Sequence, residues 1–439
     1  MNARTGALVS ALAAPPEKTR ALVVGFSGGL DSTVLLHALA HHAPPFAVRA
    51  IHVCHHLQPQ AEVWAEHCRR QSLDWGIEFE RLDVSVDGAG RGIEAAAREA
   101  RYNAIGTALT AGETFVTAHH CQDQAETFLL QALRGAGPRG LAGMPVLGTL
   151  GRYYHWRPWL GIERGAIRDY ADGQGLDWIE DPTNQSPDLA RSFLRTRVMP
   201  AVEAHWPAAG ATLSRAAAHA QEAAEAIEAL ARVDLANVRE GEGALSCAAL
   251  AGLTSARTKQ VIRLWLEEAE LDTPDHRHLE QILALPTSRL ASSPCAHFAD
   301  TDVRLFDGQL HCVPALVPPP TGQTLTWDGG ELSLPARCGT LDMENAAAQA
   351  LSLTVTFRAG GERLRQAGSG HRRLKDVLRE AVIAPWVRER MPLIYFGDAL
   401  VVVPGVWRHP EIERIAGAEF GTVIWRHRLL DGSLRVVRA

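Results

Sequence analysis

The sequence predicts an α/β protein in which a doubly wound parallel sheet is followed by a helical middle domain and a small mixed α+β domain. Two observations predict the sheet. Over about the first 150 residues, apolar runs of strand length alternate with segments of helical periodicity, and the first apolar run leads through a glycine turn into a helix. This alternation is typical of parallel sheets with helices on both faces. Ligands of such sheets bind beyond the carboxyl ends of the strands.

Hydrophobic periodicity predicts where the individual strands and helices lie. In the first part of the chain it predicts strands over 21–24, 48–53, 79–84 and 114–118, and helices over 61–74 and 93–109 and from about 31 and 122. Farther along it predicts helices over 191–206, 213–238, 255–269 and 276–285, and short strands within 295–334. We therefore expect three domains: 1–207 with the parallel sheet, 208–320 mostly helical, and 321–439.

The turn after the first strand reads Ser27-Gly28-Gly29-Leu30-Asp31-Ser32. Two glycines permit positive φ and let successive N–H groups face one point, while the following helix adds its own N-terminal N–H groups. Neither a Walker loop nor a dinucleotide fingerprint fits, since no lysine follows the glycines and they are adjacent. The alternative is a turn that caps an ordinary helix. Its place after a strand favours a phosphate site, with Asp31 as a Mg²⁺ ligand.

A second polar segment follows the fourth predicted strand and contains His119, Asp123 and Glu126. The two carboxylates lie three residues apart, on one face of the first turn of a helix. Two carboxylates beside a phosphate site require a cation, which is either a metal ion or the ammonium group of an amine substrate. A zinc site at His119, His120 and Cys121 is disfavoured because adjacent side chains point apart.

Two arginines on the preceding helix, Arg98 and Arg101, are candidates for binding phosphate if the end of that helix faces the cleft. The alternative for Arg98 is a surface ion pair with Glu94, four residues earlier.

Composition limits the class of protein. No apolar run reaches membrane-spanning length and the first residues lack the layout of a signal peptide, so we expect a soluble cytoplasmic protein with no membrane partner. The seven cysteines contain no C-x-x-C pair, which favours reduced thiols over a disulfide framework or a metal cluster. The whole chain has a net charge of −6, yet residues 351–439 carry 15 Arg and Lys against 9 Asp and Glu. A basic terminal domain is consistent with a polyanion-binding surface.

The loop 27–32 resembles the PP-loop of the ATP pyrophosphatases. Together with further segments it makes the chain similar to the tRNA(Ile)-lysidine synthetases over nearly all of residues 20–207. Those segments are His52-Val53-Cys54-His55, the helix from Glu94 to Tyr102, the run from His119 to Thr127, and residues 134–141, 157–160, 178–184 and 191–195. Three positions depart from the family pattern: Gln122 replaces an Asp, Ser192 an Asn, and Leu57-Gln58 a Leu-Arg pair.

The resemblance implies a reaction. ATP would adenylate the C2 oxygen of cytidine 34 in a tRNA(Ile) with the CAU anticodon, and the amine of free L-lysine would then displace AMP. It implies that the loop 27–32 holds the pyrophosphate with Mg²⁺ and that the carboxylate pair binds the lysine ammonium. It also places His119, Asp123 and Arg191 around the cytosine and Arg98 or Arg101 near the α-phosphate. Asp123 or Glu126 would take the proton of the attacking amine.

In the last domain, Arg372, Arg373 and Lys375 are predicted to lie in the first turn of a helix. The resemblance implies that they contact tRNA phosphates, and it allows a homodimer. Two other functions remain open from sequence alone. One is another PP-loop enzyme, such as a tRNA thiolase or a GMP or NAD synthetase, and the other is a non-catalytic nucleotide-binding module.

Overall fold

The computed structural model describes residues 3–42, 46–56, 58–85, 93–180, 190–241, 243–288, 294–344, 352–366, 370–417, 419–428 and 435–439. The chain divides into two units, residues 1–226 and 227–439, and the division falls within one long helix. Among the described residues, no helix combines the length and apolar character needed to cross a membrane. Leu57 and the segment 181–184, both of which the sequence comparison uses, lie outside the described residues, as does the side chain of Glu94.

The first unit is built on a single sheet flanked by helices. Its elements are α1 (Ala3–Ser10), β1 (Ala21–Gly25), α2 (Leu30–His42), β2 (Ala47–Cys54), α3 (Ala61–Asp74), β3 (Glu78–Asp83), α4 (Ile93–Ala108), β4 (Glu113–Val116), α5 (Cys121–Leu133), α6 (Pro138–Leu141), β5 (Leu147–Leu150), β6 (Tyr153–Trp156), α7 (Arg164–Gln174), α8 (Ala190–Phe193), α9 (Met199–His205) and α10 (Ala209–Val238).

The strand order β3-β2-β1-β4-β6-β5 confirms the predicted doubly wound sheet. Five strands are parallel, and β5 adds an antiparallel edge that the sequence analysis did not predict. Between α8 and α9, residues 194–198 continue the helix with π-type hydrogen bonds, so the predicted helix 191–206 is present with one widened turn.

β1 lies in the middle of this sheet, between β2 and β4, and both of its faces are covered. Leu22 and Val24 point into one apolar cluster, in which α2 and α7 take part, and Val23 points into a second cluster, which Ile105 of α4 joins. A strand buried on both faces reads as a continuous apolar run, as 21–24 does. This packing brings the carboxyl ends of β1, β2 and β4 to one edge of the sheet.

Near the start of β2, a buried ion-pair network joins three strands. Arg49 Nε donates to Glu113 Oε1 at 2.6 Å, and its Nη1 donates to Glu80 Oε2 at 2.5 Å. The Arg49 side chain is only 14% exposed and that of Glu113 only 11%. Removing the guanidinium would leave the Glu113 carboxylate largely buried without its main partner.

We expect Arg49→Met to lower the free energy of unfolding of this unit by about 3 kcal/mol, since an unpaired buried charge is costly. Native-state hydrogen exchange of the β1 and β2 amides measures this value. Arg69→Met is the matched control, because the Arg69–Glu66 pair lies on the surface of α3 and is about half exposed; no measurable loss of stability is expected there. Equal losses in the two variants would contradict the prediction.

In its described residues, the second unit combines helices with four antiparallel sheets. Its elements are β7 (Arg239–Glu240), β8 (Ala244–Ser246), α11 (Cys247–Leu250), α12 (Ser255–Glu268), α13 (His276–Ala284), β9 (Cys295–Phe298), β10 (Thr301–Phe306), β11 (Gln309–Pro314), β12 (Thr324–Trp327), β13 (Leu332–Leu334), β14 (Gly339–Glu344), β15 (Leu353–Phe357), β16 (Arg363–Arg365), β17 (His371–Arg373), α14 (Leu374–Glu380), α15 (Pro385–Arg388), β18 (Pro392–Phe396), β19 (Ala399–Val403), β20 (Trp407–Arg408), α16 (Ile412–Ala416), β21 (Thr422–His427) and β22 (Arg435–Arg438).

The sheets have the orders β7-β8-β11-β10-β9, β12-β15-β18-β19-β20, β13-β14-β21-β22 and β16-β17. The predicted helices of the middle region are present within a few residues of their expected ends. That region is less purely helical than expected, because β7 and β8 lie between two predicted helices, where no strand was predicted, and join the sheet that contains β11. Both strands are very short, which explains why periodicity did not reveal them.

The expected placement of Arg372 and Arg373 is wrong. Both lie on β17, paired with Leu364 and Arg363 of β16, and α14 begins only at Leu374. The helix starts there because Leu374 and Leu378 are the buried positions of its first two turns. Lys375 does lie in the first turn, as predicted.

Candidate active site

The turn after β1 depends on one glycine. Gly28 has φ +80°, and the N–H of Ile179 donates to its carbonyl at 2.8 Å. A Cβ atom at this position would lie 2.6 Å from Ile179 Cδ1 and 2.8 Å from Cys68 Sγ. Both the conformation and the space therefore require glycine. Gly29 does not have positive φ, so the turn uses the left-handed conformation at only one of the two glycines.

Two hydroxyl groups close the loop onto the N-terminus of α2. Ser27 Oγ lies 3.0 Å from Ser32 Oγ, and Ser32 Oγ donates to the carbonyl of Gly29 at 3.1 Å. α2 begins at Leu30, with Asp31 in its first turn. Hydroxyl groups, loop N–H groups and a helix N-terminus are thus gathered at one point, which suits phosphate oxygens.

His120 lies between this loop and the start of α5. Its Nε2 is 3.7 Å from Asp31 Oδ2 and 3.4 Å from Asp123 Oδ2, and its backbone N–H donates to Asp123 Oδ2. Burial alone would raise the pKa of each carboxyl group, but the His120 imidazole and nearby arginines hold both below their ordinary values, the pKa of Asp123 at about 2. Arg164 Nε adds a further contact to Asp31 Oδ1 at 3.4 Å. Both acids are therefore ionised at neutral pH.

The cation required between Asp123 and Glu126 is supplied by the protein. Arg195 donates from Nε to Glu126 Oε1 at 2.7 Å and from Nη2 to Asp123 Oδ1 at 2.9 Å. Arg191 donates from Nε to Glu126 Oε2 at 2.8 Å, and its Nη2 lies 3.3 Å from Asp123 Oδ1. Arg191 and Arg195 are four residues apart and therefore lie on one face of their helix, while Asp123 and Glu126, three residues apart, lie on one face of α5. These two faces contact each other. The sequence alone predicts a metal ion or a substrate ammonium at this place, and the arginines were not predicted.

These groups surround one cavity of about 770 Å³. Most of the predicted site residues line it, namely Ser27, Gly29, Leu30, Asp31, Ser32, Arg98, Arg101, His119 and Asp123. Gly28, Glu126 and Arg191 do not belong to its wall; Gly28 shapes the turn, and the other two lie behind Asp123 and Arg195. The Glu126 side chain is only 3% exposed. The cavity thus brings the glycine loop and Asp123 together, and Arg195 replaces Arg191 at its surface.

Several functional candidates were missed by the sequence analysis. Arg195 and Arg164 line the cavity, and His120 joins its two acids. The spacing of Arg195 from Arg191 was a usable signal, because four residues place both arginines on one helical face. Arg164 gave no such signal, since its contact with Asp31 spans 133 residues of sequence.

Arg98 and Arg101 form a cationic part of the cavity wall. Arg101 Nε lies 3.3 Å from His55 Nε2, and the Arg98 guanidinium lies 4.8 Å from the centre of the Tyr102 ring. Burial lowers the pKa of Arg101, and burial together with Arg101 lowers the pKa of His55 to about 4. Among the side chains that the structure describes, no carboxylate pairs with either arginine. An anionic ligand would stabilise both guanidinium groups.

The donor set fits ATP and Mg²⁺. The loop 27–32 offers N–H and hydroxyl groups to phosphate, and Arg98 and Arg101 offer charge without a described acidic partner. Asp31 and Asp123 offer ionised oxygen atoms on the wall of the same cavity. Mg²⁺ prefers one or two carboxylates together with substrate phosphates.

A parallel sheet with this loop at the carboxyl end of its first strand defines the class of PP-loop nucleotide-binding domains. Consistent with that class, residues 2–202 match the family model described as PP-loop domain. Residues 245–311 match the TilS substrate binding domain, and residues 353–425 match the TilS substrate C-terminal domain.

Curated relatives extend this similarity over most of the chain. A tRNA(Ile)-lysidine synthase of Alkalilimnicola ehrlichii is 40% identical and aligns over 87% of this chain and 88% of its own. A tRNA(Ile)-lysidine synthase of Photorhabdus laumondii is 35% identical over 93% of this chain and 95% of its own. Among solved structures, a U34-tRNA thiolase of Methanococcus maripaludis aligns with 50% of this chain and 78% of its own, at 16% identity and a TM-score of 0.42. The chain belongs to the tRNA(Ile)-lysidine synthase family of enzymes, which confirms the resemblance noted in the sequence.

Proposed function

We propose that this chain attaches L-lysine to C2 of cytidine 34 in tRNA(Ile) with the CAU anticodon, forming lysidine and releasing AMP and pyrophosphate. The change converts the codon read from AUG to AUA and the amino acid to isoleucine. One observation carries the proposal: the glycine loop and Asp123 line the same cavity. A nucleoside triphosphate and an amine bound at these two places would be in reach of one extruded base.

In the adenylation step, the nucleotide is bound by the loop 27–32 and by Arg98 or Arg101. The loop 27–32 holds the pyrophosphate that leaves, and Arg98 or Arg101 offsets the charge that grows on the α-phosphate as the C2 oxygen attacks. Asp31 would hold Mg²⁺, which, when bound, supplies positive charge to the departing pyrophosphate. Arg164, in contact with Asp31, fixes the orientation of that carboxylate.

In the second step, in which the lysine amine attacks, Asp123 and Glu126 have different roles. Asp123 faces the cavity and attracts the lysine ammonium, while Glu126 lies behind it and holds Arg191 and Arg195 in place. With a pKa of about 2, Asp123 is a weak base at neutral pH, so an electrostatic role suits it better than removal of the amine proton. Arg195, which lines the cavity, would hold the cytosine and its adenylated oxygen beside the amine, with Arg191 supporting it from behind.

The three predicted domains divide the work in this proposal. Residues 1–207 carry the chemistry, while 208–320 and 321–439 bind the body of the tRNA. Lys375 and Arg373 are exposed and have no ionic partner among the described residues, whereas Arg372 forms an ion pair with Glu380. Lys375 and Arg373 are therefore the better phosphate contacts of the predicted three.

We expect Lys375→Ala to weaken tRNA binding for every tRNA sequence and to reduce the slope of log affinity against log salt by about 1, since one phosphate contact is lost. Filter binding across a salt series measures the slope. Activity on a minimal anticodon stem-loop should stay unchanged. Unchanged tRNA affinity together with a lower rate on the stem-loop would contradict this assignment.

The direct test of the proposed function mixes the protein with ATP, labelled L-lysine and a tRNA(Ile) transcript. We expect label in the RNA when position 34 is cytidine and none when it is uridine. Sulfur incorporation in place of lysine would identify a tRNA thiolase. ATP binding without AMP release would identify a non-catalytic nucleotide-binding module.

A further inference from the structure

A chain of hydrogen bonds leads from a buried arginine to the cavity. Arg157 Nη2 lies 2.9 Å from His155 Nδ1, and His155 Nε2 lies 2.9 Å from Thr117 Oγ1. Thr117 Oγ1 in turn lies 2.7 Å from His119 Nδ1. The backbone sets this order, because the N–H of Thr117 donates to Trp156 and so continues the pairing of β4 with β6. Only Thr117 and His119 reach the cavity wall.

The first bond fixes the direction of all the others. A guanidinium group has N–H donors and no acceptor, so His155 Nδ1 must accept from Arg157. The proton of a neutral His155 then sits on Nε2 and is donated to Thr117 Oγ1. Arg157 cannot turn away easily, since its Nη1 also donates to the carbonyl of Pro145 at 2.9 Å and the residue is buried.

The same logic passes to His119. The Thr117 hydroxyl has one proton, and within the described part of the chain His119 Nδ1 is the acceptor left in reach once His155 Nε2 is a donor. His119 Nδ1 is therefore the acceptor, and its ring proton sits on Nε2. No described residue hydrogen-bonds this Nε2, and His119 lines the cavity.

Both imidazoles stay neutral at physiological pH. Burial, helped by the nearby Arg157, lowers the pKa of His155 to about 2; the same two causes lower the pKa of His119 to about 3 against the opposing effect of Asp123. Protonated rings would also break the chain, because a charged imidazole has two donors and cannot accept at Nδ1.

We propose that Arg157, His155 and Thr117 are positioning residues that hold His119 as the Nε2–H tautomer, so that it presents a hydrogen-bond donor, and not a base, to an oxygen of the bound substrates. The idea rests on the proposed function for the identity of that oxygen, which is on the α-phosphate or the cytosine. A neutral imidazole held in this way stabilises charge that develops on oxygen without transferring a proton.

Nitrogen NMR of the full chain labelled with ¹⁵N-histidine tests the tautomer directly. Protonated and unprotonated ring nitrogens resonate far apart, and the His119 signals are identified by their loss in His119→Gln. We expect the Nε2–H tautomer in the wild-type protein and in Thr117→Ser, which keeps the hydroxyl. In Thr117→Val we expect the Nδ1–H tautomer to appear, with kcat at least ~10-fold lower, since a catalytic donor is misdirected; Thr117→Ser should restore kcat.

The measured tautomer of His119 tests the positioning role independently of whether the protein forms lysidine. A predominantly Nδ1–H His119 in the wild-type protein would overturn the inference even if lysidine forms. If the Nε2–H form is found and no lysidine forms, the positioning chain stands and the proposed function fails. Adding a non-hydrolysable ATP analogue or an anticodon stem-loop in separate titrations shows which ligand carries the acceptor oxygen. A His119 Nε2 signal that neither ligand shifts would overturn the donor role.

Discussion

Asp31→Asn is expected to lower kcat for lysidine formation by about 10²–10³-fold or more, while the fold is retained. The Asp31 carboxylate faces the cavity next to the phosphate loop and lies within 4 Å of both His120 and Arg164. Its replacement by a neutral amide removes the negative charge that would hold Mg²⁺ at the departing pyrophosphate. Initial rates of lysine incorporation at saturating ATP and tRNA measure the loss.

Glu62→Gln is the matched control for Asp31→Asn. Glu62 lies in the first turn of α3, flanks the same sheet, and pairs on the surface with Arg81 outside the cavity wall. We expect its variant to keep wild-type activity. An Asp31→Asn enzyme that retains more than about a tenth of the rate would contradict the role given to Asp31.

Asp123→Asn is expected to act mainly on lysine. Replacing this carboxylate removes the charge at the cavity wall that attracts the ammonium group, so KM for lysine should rise by ~30-fold or more, equivalent to about 2 kcal/mol. The KM for ATP should change much less. Rates measured across lysine and ATP concentrations separate the two effects.

Asp123→Asn also removes a charged partner of Arg191 and Arg195. Without the Asp123 charge, Arg191 and Arg195 keep Glu126 as their ionic partner, so the helices should stay together. Thermal unfolding of the variant tests that point, and Asp172→Asn on the exposed face of α7 serves as the control for both measurements. An unchanged KM for lysine with a raised KM for ATP would place the lysine site elsewhere.

The fold of the first unit was largely predictable because its signals are local. Strand-length apolar runs and helical periodicity lie within short windows, and β1 needs only three consecutive buried residues to be recognised as central. The edge strand β5 escaped prediction because none of its four residues is buried and its sequence, Leu147-Gly148-Thr149-Leu150, shows no apolar–polar alternation. β7 and β8 escaped because strands of two and three residues have no period.

The candidate site was predictable only in part. Motif spacing identified the glycine loop and the acidic face of α5, and most of that loop and Asp123 of that face line the cavity. It did not show that Arg191 and Arg195 would occupy that acidic face, because pairing between distant segments depends on tertiary packing. The chain from Arg157 to His119 was likewise hidden, since its order follows from the pairing of β4 with β6.

In the proposed function, one cavity first adenylates the tRNA base and then delivers lysine to it. The most direct test supplies ATP with radioactive phosphorus at the α-position and the tRNA(Ile) transcript, and withholds lysine. We predict label attached to the RNA, which is released as AMP when unlabelled lysine is added and lysidine appears. Label that attaches to lysine in the absence of RNA, or RNA that stays unlabelled while lysidine forms, would contradict the account.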